Sequence, residues 1–254
     1  MTQTTPVIDI NAWTGHWHTF PVQGEVDAVR NSLKDIGVDR IFLAPLHAVW
    51  GHNPHYCNKD VYAAATAHED IEPVPVLDPT LATWKEEVVK AVEHGVRLVK
   101  VLPAYSQYNL VEQGDFLAAL AEAGFILLVQ TRLEDPRRQH PLGQVPDTDP
   151  AVAVEVARHY PKLKVVIGGA AWSAILNLCD TLLQLDNLYA DVSQADGMDT
   201  MKVLLEKGMG EKLLFGTHAP LFIPLAGLAR VITDISDEQA AAILGGNTVR
   251  LLEG

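Results

Sequence analysis

Lys100 stands inside the apolar run Leu98-Val99-Lys100-Val101-Leu102, where no neighbour gives a reason for a charge. An amine held among apolar side chains can polarise a carbonyl, form a Schiff base or bind a carboxylate; pairing with Asp9 or Asp191 is the non-catalytic alternative. His218 closes a second short apolar run, and an imidazole there can exchange protons near neutral pH because its ordinary pKa is about 6.5. The bland alternative is a histidine bracing the turn before Pro220. Asp9, Asn11, Gln130, Asp191 and Ser193 end or follow other runs and add donors and acceptors. Beyond Gln130, the residues Arg132, Glu134, Asp135, Arg137 and His140 form the densest cluster of charge in the chain. Arginine forks pair bidentately with carboxylates, so this loop either bridges its own acids or keeps a guanidinium for an anionic ligand.

Histidines offer a second chemistry. His16, His18, His47, His52, His55, His140 and His218 fall in segments that follow apolar runs, whereas His68, His94 and His159 sit in helical stretches. His16 and His18 form a His-x-His pair. A relocated divalent metal such as zinc, held by some of His16, His18, His47, His140 and His218, is one reading; loop histidines bonded to backbone or water is the other. Trp13, Trp17, Trp50, Tyr105, Tyr108 and Trp172 lie in or beside the same segments, and an apolar pocket with few polar groups suits a small organic ligand. Tyr105 and His47 are counted with the substrate-binding candidates.

These groups need a frame that brings them together. Apolar runs at 7–10, 38–45, 74–77, 97–102, 125–130, 164–167, 188–192 and 212–215 have strand character. Helical periodicity is expected over 25–36, from about 61, after Pro79, near Phe116, and over 172–183, 198–207 and 237–244. Eight alternating strand and helix units predict an α/β fold, a closed (β/α)8 barrel forming one domain over 1–254, with its chemistry at the carboxyl ends of the strands. The length of 254 residues is close to the ~250 typical of such a barrel. The polar loop at 132–150 is longer than the ~12 residues usual in compact domains, as lids and binding segments often are.

A formal net charge of -13 and no run of Lys and Arg argue against a nucleic-acid footprint. No stretch of about eighteen apolar residues suggests a membrane span. Cys57 and Cys179, without a CxxC pair, predict neither a disulfide framework nor a thiolate metal site, and the expectation is a cytoplasmic protein with a small-molecule partner. Walker-type, Rossmann and nucleophile-elbow motifs are missing, which leaves phosphoryl transfer and dinucleotide chemistry without support.

Five segments carry a resemblance: Val-Ile-Asp-Ile-Asn-Ala-Trp-Thr-Gly at 7–15, Gly-Val-Asp-Arg-Ile-Phe-Leu-Ala-Pro at 37–45, Gly-Val-Arg-Leu-Val-Lys-Val-Leu-Pro at 95–103, Leu-Leu-Phe-Gly-Thr-His-Ala-Pro at 213–220 and Ile-Leu-Gly-Gly-Asn-Thr-Val-Arg-Leu-Leu at 243–252. In this order, nearly end to end, the chain resembles the amidohydrolase-related (amidohydrolase 2) family of metal-dependent barrel hydrolases and decarboxylases. The resemblance implies a metal held by a His-x-His pair after the first strand, histidines ending the fifth and sixth strands and an aspartate ending the eighth. Those positions here are Asn11 and Trp13, Gln130, Gly168 or Gly169, and His218. Every expected ligand is replaced, as in a divergent branch that is similar in carrying Asn-x-x-x-Gly and Phe-Gly-Thr-His-Ala-Pro. Zinc and its relatives favour imidazole, thiolate or carboxylate, so the usual centre is not expected to assemble and no cofactor is expected.

The expectation is therefore an amidohydrolase-like hydrolase or decarboxylase acting on a small anionic carbonyl compound without the usual metal. His218 is its acid or base. Lys100 and the arginines past residue 130 hold negative charge, and Asp9, Asn11 and Gln130 orient substrate or water. The alternative is a non-catalytic ligand-binding or scaffold barrel that kept the fold after losing the metal ligands; it predicts a closed or apolar mouth, or charges paired internally. The resemblance also implies self-association.

Overall fold

Eight parallel strands run in chain order: β1 (Ile8–Thr14), β2 (Arg40–Pro45), β3 (Ile71–Pro73), β4 (Leu98–Val101), β5 (Ile126–Gln130), β6 (Lys164–Gly168), β7 (Leu188–Asp191) and β8 (Leu213–Leu214). The structure is a computed structural model and describes residues 5–253. β1 to β3 form one ladder and β4 to β8 another. Backbone bonds join the two ladders at both edges. The Lys100 amide donates to Pro75 O at 3.0 Å and Leu77 N donates to Lys100 O at 2.9 Å, while Ile10 N donates to Phe215 O at 3.0 Å and Trp13 N to Ala219 O at 2.8 Å. The ring is thereby closed as a TIM barrel.

The outer ring is α1 (Val26–Lys34), α2 (Pro54–Ala67), α3 (Trp84–Glu93), α4 (Pro103–Ser106), α5 (Gly114–Glu122), α6 (Ala151–His159), α7 (Trp172–Asn177), α8 (Cys179–Gln184), α9 (Thr200–Glu206), α10 (Pro224–Ile232), α11 (Asp237–Ala241) and α12 (Asn247–Glu253), the last two joined by a π turn at Ala242–Gly246. None of these helices is long and apolar enough to cross a membrane.

Strand alternation sorts the core into two layers. Val99, Val101, Leu127, Val129, Val165 and Ile167 face the helices, and Ile8, Ile10, Leu98, Ile126, Leu128 and Val166 fill the barrel. Lys100 and Gln130 share the inward register of Leu98 and Leu128, which carries their polar ends to the top of the barrel.

Several elements differ from the expectation. β1 continues past Ile10 to Thr14, so Asn11 and Trp13 lie on the strand, with a register shift against β2 between Asp9 and Ala12. α6 begins directly after the loop expected to end at Pro150, and α10 stands where a loop containing Pro220 and Pro224 is expected, because Pro224 occupies a helix entry, where a missing N–H costs nothing. The helix expected over 172–183 breaks at Leu178. β8 is two residues long, so His218 lies beyond it, in the left-handed conformation at φ 61. Its backbone is still held to the barrel, since His218 N donates to Asn11 O at 3.0 Å. His55 belongs to the first turn of α2, where its Nδ1 meets Thr83 Oγ1 at 3.0 Å and its Nε2 accepts from Asp78 N at 3.0 Å, away from the barrel mouth.

Candidate strand-end site

The carboxyl ends of β1, β4, β5 and β7 and the segment after β8 bring Asn11, Lys100, Gln130, Asp191 and His218 to the top of the barrel. Lys100 Nζ donates to Asn11 Oδ1 at 2.7 Å and rests 3.6 Å from the centre of the Trp13 ring. Asn11 passes the contact on, its Nδ2 donating to Asp191 Oδ2 at 2.6 Å. Asp191 Oδ1 also accepts from Ser193 N at 2.9 Å and Ser193 Oγ at 2.6 Å, and both of its oxygens accept from Gly169 N at 3.2 Å. An amine, an amide and a carboxylate thus form one buried chain. Asp9 sits at its edge, accepting from Asn11 N at 2.9 Å, from Thr217 N at 3.1 Å and from the Thr217 hydroxyl.

Burial dominates the electrostatics. It pulls Lys100 down to about 7 against the opposing effect of the Asp191 and Asp9 carboxylates. It lifts Asp9 to about 6, although the Thr217 and Asn11 bonds favour the ionised form. His218 falls to about 3, through burial first and then repulsion by Lys100, so the imidazole is neutral at ordinary pH. Its Nε2 lies 2.9 Å from Leu133 O and 3.3 Å from Gln194 Nε2, and its ring meets Trp13 and Phe222 edge-on.

The top of the barrel is shut. Asp9, Asn11, Trp13, Lys100, Asp191, Leu133 and His218 each expose 0% of their surface. Trp13, Trp17, Leu46, Leu102, Leu133 and Leu221 belong to the apolar cluster that covers the polar chain. Three polar atoms there have no partner among the described residues: Trp13 Nε1, Gln130 Oε1 and His218 Nδ1.

Other candidates lie outside this chain of contacts. His16 and His18 are exposed, and His47 Nε2 faces Asp60 Oδ2 at 3.1 Å. His140 is exposed, with its Nδ1 accepting from Leu142 N in its own loop. Arg137 bridges Asp135 on the surface, Arg138 lies 4.0 Å over the Phe20 ring, and Arg132 Nε donates to Gln194 Oε1 at 2.6 Å. Glu134 is buried beneath the loop and accepts from Trp17 Nε1 at 3.0 Å and Thr19 Oγ1 at 2.8 Å. Tyr105 stands to one side, against Trp50. Thr217 and Gln194 were not foreseen; the hydroxyl preceding His218 was the only hint of the first, and nothing local marked the second.

A divalent metal does not suit the positions where the resemblance would put one. Asn11 Oδ1 already holds an amine, the Trp13 ring covers that amine, and Gln130 Nε2 donates to Arg132 O at 2.7 Å. A side chain at Gly168 would begin 2.3 Å from Leu128 Cδ2, and one at Gly169 would begin 2.3 Å from Gln130 Nε2. No group of three His, Cys, Asp or Glu among the described residues is arranged to hold a metal ion.

Comparison with known proteins places this geometry. The structure is similar to a TIM-barrel protein of Bordetella bronchiseptica (TM-score 0.74, 18% identity, covering 97% of this chain and 98% of that one). It is also similar to 5-carboxyvanillate decarboxylase of Sphingomonas paucimobilis (TM-score 0.72, 12% identity, covering 98% and 99%). The 5-carboxyvanillate decarboxylase of Novosphingobium aromaticivorans, with bound manganese and 3-methoxy-4-hydroxy-5-nitrobenzoic acid, has a TM-score of 0.66 at 14% identity over 89% and 80%. At these identities the likeness establishes the fold. No curated protein sequence matches the chain. The amidohydrolase family model matches residues 7–254, and with strands, order and closure in agreement the chain belongs to the amidohydrolase family.

Proposed function

We propose that this chain is a small-molecule-binding barrel of the amidohydrolase family in which the Lys100–Asn11–Asp191 chain stands where relatives would hold a metal. The observation that carries the reading is the 0% exposure of Lys100, Asn11, Asp191 and His218 together with the bonds among them and to the backbone. A carbonyl compound has no open route to an amine that is fully buried, bonded to Asn11 and covered by the Trp13 ring. The Lys100 amine, when protonated, and the Arg230 guanidinium both offset the charge of the Asp191 carboxylate, which would cost several kcal/mol if left uncompensated. Decarboxylases among the structural neighbours act on small aromatic acids or are named for them, so a small organic ligand remains the expected partner.

The test is a panel of small carboxylates, amides and esters incubated with the protein, with and without added Zn²⁺ or Mn²⁺, and followed by product formation and calorimetry. Saturable binding without turnover is expected. Metal-stimulated turnover would sink the reading.

A second reading, a hydrolase or decarboxylase acting on a small anionic carbonyl compound without the usual metal, is favoured by one observation. Trp13 Nε1, Gln130 Oε1 and His218 Nδ1 are buried without partners among the described residues, beside an amine poised near 7, and unsatisfied polar atoms of this kind mark strained or functional sites. Here the loop past Gln130 opens, Lys100 and Arg132 hold the carboxylate, and, in a hydrolysis, neutral His218 accepts at Nδ1 a proton from the water that attacks the carbonyl and returns it to the leaving group as the carbonyl–heteroatom bond breaks. Turnover abolished by His218→Asn in a folded protein is the result that selects it.

A further inference from the structure

Beside the shut mouth lies an open cleft of about 500 Å³, between α4 and residues 144–148 of the long loop, within the range of small-ligand sites. Its walls include Trp50, Tyr105, Tyr108 and Pro146. The Trp50 and Tyr105 rings have centroids 5.3 Å apart and planes at 84°, so they meet as two walls of a corner. Trp50 is 40% exposed, which leaves aromatic surface open to a ligand.

The charge lining this cleft has one sign. Asp147 is the only ionisable side chain other than tyrosine in the lining, no Lys, Arg or His joins it, and it makes no ion pair or side-chain hydrogen bond among the described residues. Burial raises the Asp147 carboxyl above its usual range, while Arg132, outside the lining and bonded through Nε to Gln194, favours its ionised form. Glu134 and Asp147 add their fields at Tyr105, where burial and both carboxylates raise the phenol above its usual range. Aromatic faces carry negative potential and attract cations within about 6 Å. A carboxylate ligand would meet aromatic faces and an acid.

We infer that this cleft binds an organic ammonium: a quaternary or protonated amine on a small apolar body, seated in the Trp50–Tyr105 corner with Asp147 at the rim. The inference rests on the reading of the chain as a small-molecule-binding barrel and adds the place and the class of ligand. It departs from the anionic ligand expected of the loop arginines, each of which already has a partner elsewhere.

The test uses the whole chain and three probes in calorimetric titrations: choline, its uncharged isostere 3,3-dimethyl-1-butanol, and benzoate. Choline is expected to bind roughly tenfold or more tightly than the alcohol, the scale of a partly desolvated cation–π contact. Trp50→Leu and Tyr105→Leu are each expected to weaken choline about tenfold and Asp147→Asn a few fold. Tyr105→Phe keeps the ring face and is expected to retain choline binding, which separates the aromatic contact from loss of fold; unchanged thermal midpoints check the same point. Equal affinity for choline and the alcohol, no choline binding, or choline binding indifferent to both leucine variants would overturn the inference. Benzoate bound in place of choline would overturn the ligand class and leave the binding reading standing. Metal-stimulated turnover, measured separately, would remove that reading while the titrations still report on the cleft.

Discussion

The Lys100 ammonium lies 3.6 Å from the centre of the Trp13 ring, so the strand-end amine of β4 is capped by the aromatic side chain of β1. The capped nitrogen is also the donor to Asn11, and Asn11 is the donor to Asp191. Removing the amine therefore strips Asn11 of a partner and leaves Arg230, held on the Val192 and Ser193 carbonyls, as the remaining cation that acts on Asp191.

Lys100→Met is expected to destabilise the protein by about 3 kcal/mol, the scale for breaking a buried charged pair from one side. Lys100→Met with Asp191→Asn is expected to cost less than the sum of the single changes by about 1 kcal/mol or more, because the two sites communicate through one amide. Urea unfolding of the four proteins measures the difference. Additive losses would show that Asn11 does not transmit the charge. The alkaline limb carries the same signature. With Lys100 lowered to about 7 from 10.5, the unfolded chain holds the extra proton between those values, so stability rises with pH across that window and the rise is absent in Lys100→Met.

His218 gives the acid limb. Its folded value near 3 lies below 6.5, so between about pH 3 and 6.5 the unfolded state binds the additional proton and the imidazole's contribution to stability grows with pH. Asp9 runs the other way between 3.8 and about 6, because the folded carboxyl keeps its proton longer. His218→Gln isolates the first effect. Its destabilisation is expected to be smaller at pH 4 than at pH 7 by more than about 1 kcal/mol, measured by urea unfolding at both values. An equal loss at both would mean that the imidazole is not held neutral by burial.

The strand-and-helix alternation and the shared inward register of Leu98, Lys100, Ile126, Leu128 and Gln130 were legible in the sequence, because a two-residue period decides which face a strand residue takes. The polar row at the strand ends follows from that register. What the register does not carry is what covers it. Leu133 closes the top from a loop, and Trp13 does so because β1 runs four residues past Ile10 through a register shift. Both depend on contacts between segments far apart in the chain. Pro224 misled for a simpler reason: a proline at a helix entry looks like a loop residue when only neighbours are read. Asp147 gave no signal, since its place beside Tyr105 comes from the path of the long loop.

The metal prediction follows from side-chain packing. Zinc or manganese added to purified protein is expected to leave the thermal midpoint unchanged, and a chelator is expected to do the same, because ligand binding to the folded state alone would raise it by mass action. A midpoint that rises with metal and falls with chelator would require a donor set not recognised among the described residues.

Gly169 gives the sharpest steric case. It has φ +67, and a Cβ there would lie 2.3 Å from Gln130 Nε2 and 2.6 Å from Arg132 O. The glutamine can swing aside, but the carbonyl oxygen belongs to the backbone that carries the closing loop, and the same glycine N–H donates to Asp191. Gly169→Ala therefore combines left-handed strain with a clash against main chain, and a loss of about 2 kcal/mol or more is expected. The loss should travel to the polar chain: with Asp191 deprived of a well-placed donor and the loop displaced, Lys100 gains solvent, and its amine is expected to titrate closer to 10.5 than in the parent. Amine titration followed by NMR measures this. A stable Gly169→Ala protein with the amine still near 7 would mean that the sixth strand end does not hold the mouth shut.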